Sequence, residues 1–438
     1  MSTPSVISLT LLILSLFVAA QAVVPPSNTF KFINEGELRE YIVEYGADYR
    51  ALDLFTYPFQ LCFYNTTPNA YTLALRMGVR NSESTLRWVW DANRGNPVRE
   101  NATLTFGTDG NLVLADADGK IAWQTGTANK GVVGLKLLPN GNIVLEDSKG
   151  RFVWQSFDYP RDSLMVGQGL RPGGPSKIVS RVSDVDGSEG AYSFVLEKKR
   201  LAMYLKSKNS KNPILYHISE EFGPQQRPVT GVVFSTEPTT SEAYAYVLKY
   251  DLYVNNSSAG SWFIGRPNYN CTLSFLRVGS DGGLRVYTYN PNVDSLAWEI
   301  TYSLFDKDGA YGVSECRSPT KCGALGVCED SQCVACPTPK GLLGWSKDCA
   351  PPRLSPCKAG AQAVDYYKVV GVEHFTSEYA QGDGPTKLAD CRAKCSNDCG
   401  CLGFFYREES SKCLLAPELG TLSKVANQTH VAYIKMSN

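Results

Sequence analysis

LTFGTDGNLVLADADGKIAWQ, residues 104–124, recurs 31 residues later as LKLLPNGNIVLEDSKGRFVWQ, residues 135–155. Nine of the 21 paired positions are identical: Leu104/Leu135, Gly110/Gly141, Asn111/Asn142, Val113/Val144, Leu114/Leu145, Asp116/Asp147, Gly119/Gly150, Trp123/Trp154 and Gln124/Gln155. Each copy sets two short apolar runs around a turn, Asp116-Ala117-Asp118-Gly119 in one and Asp147-Ser148-Lys149-Gly150 in the other, which is a hairpin signature. A looser third copy, Thr85–Trp90, ends with Trp90, 33 residues ahead of Trp123. Self-similarity at this period predicts a repeat-built β unit. One hairpin cannot bury its own apolar face, but three about an axis can, with Trp90, Trp123 and Trp154 stacked toward the middle. Those indoles read as core packing rather than as a binding surface, because each has so much apolar area to bury.

Outward from that stretch, the 438 residues exceed one core and suggest about three units. Lysine plus arginine equals aspartate plus glutamate at 43 each, so charge gives no case for nucleic acid or an anionic membrane. Residues 1–22 read as a signal peptide: an apolar run from Val6 to Ala20, then Ala20-Gln21-Ala22 as the cleavage site. No later run reaches the 18 apolar residues of a membrane span, and the last residues are too polar for a lipid-anchor signal. The expected product is free and secreted. Six Asn-x-Ser/Thr sequons (Asn65, Asn101, Asn255, Asn256, Asn270 and Asn427) and 14 cysteines fit that route. Glu37–Tyr45 alternates as an edge strand would.

The runs Asn111–Leu114, Trp90-Asp91-Ala92-Asn93-Arg94-Gly95-Asn96-Pro97 and Trp154-Gln155-Ser156-Phe157-Asp158-Tyr159-Pro160 resemble the bulb-type, mannose-binding lectin domain of plant S-locus glycoproteins. Over the whole chain the layout is similar to that of the plant epidermis-specific secreted glycoproteins. The resemblance implies a mainly β protein with two tandem β-prisms, a small disulfide module and a mixed α+β domain. The expected divisions are an N-terminal segment at 23–43, a first lectin domain at 44–165 and a degenerate second one at 170–300. An EGF-like module follows at 316–349 and a PAN/apple domain at 357–436. The second lectin unit rests on Tyr192–Leu196, Leu201–Leu205 and the Asp-Gly-x-Leu-x-Val theme within Leu276–Tyr287.

The EGF resemblance implies the pairs Cys316–Cys328, Cys322–Cys333 and Cys336–Cys349. A segment of this size needs such staples, typically ~2–4 kcal/mol each. The PAN resemblance implies Cys391–Cys413 and Cys395–Cys401 and leaves Cys357–Cys399. There, Pro385–Cys395 reads as a helix starting at Pro385 or Thr386, with Cys391 and Cys395 on one face. Cys62 and Cys271 then remain, either bridging the two lectin units, which parity favours, or both free.

In sugar-binding bulb lectins one strand carries Gln-x-Asp-x-Asn-x-Val-x-Tyr, and alternation presents all five side chains on one face. Here the best strand keeps Asp109, Asn111 and Val113 but has Gly107 for Gln and Ala115 for Tyr. The second copy keeps Asn142 and Val144, with Leu138, Asn140 and Glu146 at the other positions. In the second unit Asp281 and Tyr287 remain beside Gly283 and Arg285, and near Tyr204 only the tyrosine survives. Each missing hydrogen bond typically costs ~0.5–1.5 kcal/mol. Asp109, Asn111 and Val113 are the candidate carbohydrate contacts, set against a structural role for Asp109 and Asn111 in turn and strand-end hydrogen bonding.

His217, His374 and His430 stand in no metal-type spacing, and no nucleophile elbow or phosphate loop occurs. The chain reads as a non-enzyme without cofactor or metal. The expected place is the plant cell wall or apoplast and the expected partners are glycans or wall glycoproteins. The alternative function is a protein-docking platform, wall component or homodimer interface built from the prism and PAN surfaces.

Overall fold

The computed structural model describes residues 23–39, 42–79, 85–222, 228–238, 246–293, 295–306, 312–354 and 364–437. The expected signal peptide at 1–22 and Cys357 lie outside the described residues.

The first unit is made of β1 (Phe30–Ile33), β2 (Asp48–Thr56), β3 (Phe59–Asn65), β4 (Tyr71–Met77), β5 (Arg87–Asp91), β6 (Thr103–Phe106), β7 (Leu112–Ala115), β8 (Ile121–Gln124), β9 (Val132–Leu137), β10 (Ile143–Asp147) and β11 (Phe152–Gln155). They form three antiparallel sheets, ordered β1-β6-β7-β8, β2-β3-β4-β5 and β11-β10-β9. The repeated hairpins become repeated pairings. Trp90 lies opposite Leu75, Trp123 opposite Leu114 and Trp154 opposite Leu145. All three leucines are fully buried. The indoles close a triangle with ring centroids 6.0, 5.8 and 6.3 Å apart and interplanar angles of 72–73°. Edge-to-face pairs of this kind add roughly 0.5–1.5 kcal/mol each beyond burial.

Two repeated glycines have a steric cause. Gly110 and Gly141 have φ of +78° and +83°. A Cβ at the first would meet Val132 at 2.6 Å, and at the second Met165 Sδ at 2.6 Å. Only glycine fits both the dihedral and the space.

The second unit comprises β12 (Ser163–Met165), β13 (Gly169–Leu170), β14 (Lys177–Arg181), β15 (Glu189–Leu196), β16 (Leu201–Leu205), β17 (Ile214–Ile218), β18 (Gly231–Pro238), β19 (Tyr246–Val254), β20 (Ser257–Gly265), β21 (Ser274–Val278), β22 (Leu284–Tyr289) and β23 (Trp298–Ser303). Its sheets are β14-β15-β16-β17, β13-β18-β19-β20 and β12-β21-β22-β23. It is thus a second three-sheet prism around its own core of Phe194, Tyr216, Phe234 and Val286.

The C-terminal part holds β24 (Leu325–Glu329), β25 (Gln332–Thr338), β26 (Gly341–Gly344), β27 (Val364–Val370), β28 (Val372–His374), α1 (Leu388–Asn397), β29 (Gly403–Arg407), β30 (Lys412–Ala416), β31 (Gly420–Lys424) and β32 (His430–Ser437). The cysteine-rich hairpin β24-β25 is not free-standing. β24 pairs in parallel with β31, giving one sheet ordered β26-β25-β24-β31-β28 across both segments. The other sheet, β27-β32-β29-β30, carries α1, whose Cys391 and Cys395 face inward and are bonded to Cys413 and Cys401. Disulfides also join Cys316 to Cys328, Cys322 to Cys333 and Cys336 to Cys349, and Cys399 is disulfide-bonded.

Four expectations are corrected. Cys62 and Cys271 are both free and buried. They sit in different apolar clusters, Cys62 among Tyr49, Tyr64 and Trp88, Cys271 among the second unit's core, so no bridge can join them. The alternation at Glu37–Tyr45 makes no strand among its described residues. Among the described residues Arg39 and Val43 form isolated bridges, and Glu44–Gly46 is a 3-10 turn with Tyr45 at φ +69°. The edge strand is β1, hydrogen-bonded to β6, which draws the N-terminal segment into the first prism. Helix α1 begins at Leu388 rather than at Pro385 or Thr386.

Candidate functional site

The best-preserved sugar motif lies where β7 leaves its first turn. Asp109 is exposed, and its Oδ1 accepts the Asn111 backbone N–H at 3.0 Å. The same bond recurs from the Asn142 N–H to Asn140 Oδ1 at 3.2 Å and from the Gly283 N–H to Asp281 Oδ1 at 3.0 Å. One structural turn is therefore used three times, and Asp109 holds its first copy.

Asn111 is buried. Its Oδ1 accepts from Thr125 Oγ1 at 3.0 Å and from the Thr127 N–H at 3.1 Å, while its Nδ2 donates to Gln124 Oε1 at 2.9 Å. Asn142 repeats the pattern: Oδ1 takes Ser156 Oγ and the Phe157 N–H, and Nδ2 donates to Gln155 Oε1 at 2.8 Å. Both asparagines pin a strand start to the chain beyond the neighbouring strand. What remains unbonded in the first copy is one Nδ2 hydrogen of Asn111 and the other Asp109 oxygen, beside the half-buried Val113, which pairs with Thr105 and Gln124.

The other motif positions are closed by ion pairs, a cation–π contact and a hydrogen bond. Arg285 reaches both Asp281 oxygens, at 3.1 and 2.6 Å. Burial pushes the Asp281 carboxyl up, and Arg285 overcomes this to leave it below the usual carboxylate value. The Tyr287 ring is covered by the Arg87 guanidinium at 4.5 Å, Glu146 pairs with Lys136, and the Tyr204 hydroxyl is held by Glu197. Among the described residues no group of three or more His, Cys, Asp or Glu is placed to hold a metal ion.

The polar groups that sequence reasoning missed lie between the prisms. Arg277 of β21 is buried and donates to Glu44 Oε1 at 2.7 Å, to Ser163 Oγ at 3.0 Å and to the Trp88 carbonyl. Glu44 also accepts from Arg87 at 2.7 Å and from the Trp88 N–H at 3.1 Å. Arg94 pairs with Asp91 at 2.9 Å and Asp162 at 3.3 Å, and donates to the Val179 carbonyl. Arg181 donates to the Tyr64 hydroxyl at 2.6 Å and stacks over Tyr45 at 4.2 Å. Burial pushes the Asp162 carboxyl up, but Arg94, Arg277 and Arg181 pull it further down, below its ordinary value. Apart from Asp91 and Arg94, the partners come from distant stretches of chain, so no local spacing could have announced the set.

A second seam joins the second prism to the C-terminal sheets. Phe375 enters the second prism's core, and Tyr379 bonds His217 Nδ1 at 3.2 Å. Ser207 donates to Glu418 at 2.6 Å, whose carbonyl meets His374 Nε2 at 2.9 Å. Burial lowers both His217 and His374 to about 4, so each is neutral.

Residues 87–174 match the family model for the D-mannose binding lectin, and residues 365–435 match the PAN domain. A lectin-type prism joined to a PAN domain defines the class. The chain is 51% identical over 437 residues to EP1-like glycoprotein 2 of Arabidopsis thaliana, covering 94% of this chain and 95% of that one. It is 53% identical over 381 residues to the epidermis-specific secreted glycoprotein EP1 of Daucus carota, covering 83% and 97%. The G-type lectin S-receptor-like serine/threonine-protein kinase SD2-5 of Arabidopsis thaliana is 26% identical over 85% of this chain and 43% of its own length. The chain belongs to the EP1-like family of secreted glycoproteins. Among the described residues no helix is long and apolar enough to cross a membrane.

Proposed function

We propose that this secreted glycoprotein is a recognition protein of the plant cell wall or apoplast that works through the joined surfaces of its prisms and PAN domain. Its partners in this reading are wall glycoproteins, other glycans or a second copy of the chain. One observation carries it: the motif polar groups at Asn111, Asn142, Asp281 and Tyr204 are bonded within the chain. A sugar would have to displace those bonds rather than fill open ones, losing about as much as it gains.

The mannose-type reading is favoured by a different observation, that exposed Asp109 and half-buried Val113 flank Asn111 where the turn enters β7. A site of that size is weak singly and useful only through multivalency. A glycan array decides between them, run with the protein before and after removal of its own glycans. Flat signal for all mannosides supports the first reading. Mannoside signal that Asp109→Ala abolishes would overturn it in favour of the second.

A further inference from the structure

Asn65 ends β3 beside a cleft of about 430 Å³ between the two prisms, within the ~300–1,000 Å³ of ordinary small-ligand sites. One wall carries Thr66, Thr67 and Thr72 of the first prism; the other carries Arg181, Asp186 and Ser188 of the second. Asn65 is only 7% exposed, and its side-chain amide, free of hydrogen bonds to other described residues, keeps what access to solvent it has at this cleft. Asn65-Thr66-Thr67 is also a glycosylation sequon, and the other five sequon asparagines are all exposed.

We propose that Asn65 carries an N-linked glycan whose innermost sugars fill this cleft and act as a wedge between the prisms. The amide nitrogen takes the oligosaccharide from a polyprenyl-diphosphate donor of the secretory route. The new N–C1 bond replaces the sugar's C1–O bond, the lipid diphosphate leaves, and one amide proton is lost. Final burial does not bar that step. Thr66 Oγ1 closes the cleft by donating to the Val185 carbonyl, 119 residues on, so the second wall is synthesised after Asn65 has emerged. Once closed, the threonine and serine hydroxyls, the Asp186 carboxylate and the Arg181 guanidinium surround the sugar with donors and acceptors.

This goes beyond the proposed function, and occupancy at one asparagine is read independently of any external ligand. The test uses full-length protein secreted from plant cells. Glycopeptide mass spectrometry is expected to find Asn65 modified. A peptide N-glycosidase should strip the exposed sequons from native protein while releasing the Asn65 glycan at least tenfold more slowly, until denaturant is added. Thr67→Ala, which removes the sequon without touching Asn65, should lower Tm by about 2–4 °C, and Thr67→Ser should restore both glycan and Tm. An unmodified Asn65, or a glycan there released as fast as the exposed ones with Tm unchanged in Thr67→Ala, overturns the proposal. Should Thr67→Ala fail to fold, the protection measured on wild-type protein still decides it.

Discussion

Arg277 and Glu44 stand 2.7 Å apart although 233 residues separate them in the chain. Arg277 is buried and the Glu44 side chain is only 10% exposed, and both bond also to the Trp88 backbone. With Arg94, Asp162 and Arg181 they make the boundary between the two prisms a polar weld rather than a flexible joint.

The weld makes Asp162→Asn costly. The change leaves the charge of Arg94 less compensated in a buried site, where losing one partner typically costs about 3–5 kcal/mol. Denaturant unfolding followed by tryptophan fluorescence should show a loss of that order. A change under 1 kcal/mol would mean that the pair carries little.

Acid should act in two stages. His217 and His374 sit near 4 in the folded chain against about 6.5 when unfolded, so the unfolded state binds more protons between those values. Their contribution is full above pH 6.5 and is lost as pH falls toward 4, on the order of 3 kcal/mol each at most. Asp162 has a folded value below its ordinary 3.8, so its contribution holds above about 3.8 and goes only as pH falls through that lower value. Tm measured from pH 8 to 3 should be flat, then decline below 6.5. In His217→Phe part of that slope should disappear.

Asn111 and Asp109 should separate in stability measurements. Asn111→Ala removes three interior hydrogen bonds and leaves their partners unsatisfied, for about 1–3 kcal/mol; Asn142→Ala should cost the same. Asp109→Ala loses one exposed turn bond and should cost under about 1 kcal/mol. Equal effects at 109 and 111 would contradict the assignment of Asn111 to strand pinning.

Thiol counting checks the cysteines. Burial pushes the Cys62 thiol up to about 12 and raises that of Cys271 as well. Native protein should react with no aromatic disulfide reagent, and denatured, unreduced protein with two equivalents. Zero equivalents after denaturation would restore a Cys62–Cys271 bridge.

What could be read from the sequence was what repeats or follows a local period. Trp90, Trp123 and Trp154 announced the first prism because each ends the same hairpin, and their triangle follows from that equivalence. Gly110 and Gly141 were visible as identities, although the clashes that require them are not. The second prism lost the tryptophan marker, so only the runs at Tyr192–Leu196 and Leu201–Leu205 and the Asp-Gly turn at 281–282 survived as signals. Glu44 was misread because its alternation serves a buried ion pair rather than a strand. The parallel pairing of β24 with β31 was invisible for the same reason as the weld: it joins segments some 95 residues apart. Parity of cysteines favoured a bridge that two separate cores forbid.

The most direct measurement of the weld is scanning calorimetry of the secreted chain at neutral pH, beside Glu44→Gln. Prisms locked by Glu44, Asp162, Arg277 and Arg94 should melt in one cooperative transition, which Glu44→Gln splits into two. Two independent transitions already present in the wild type, unchanged in the variant, would contradict it.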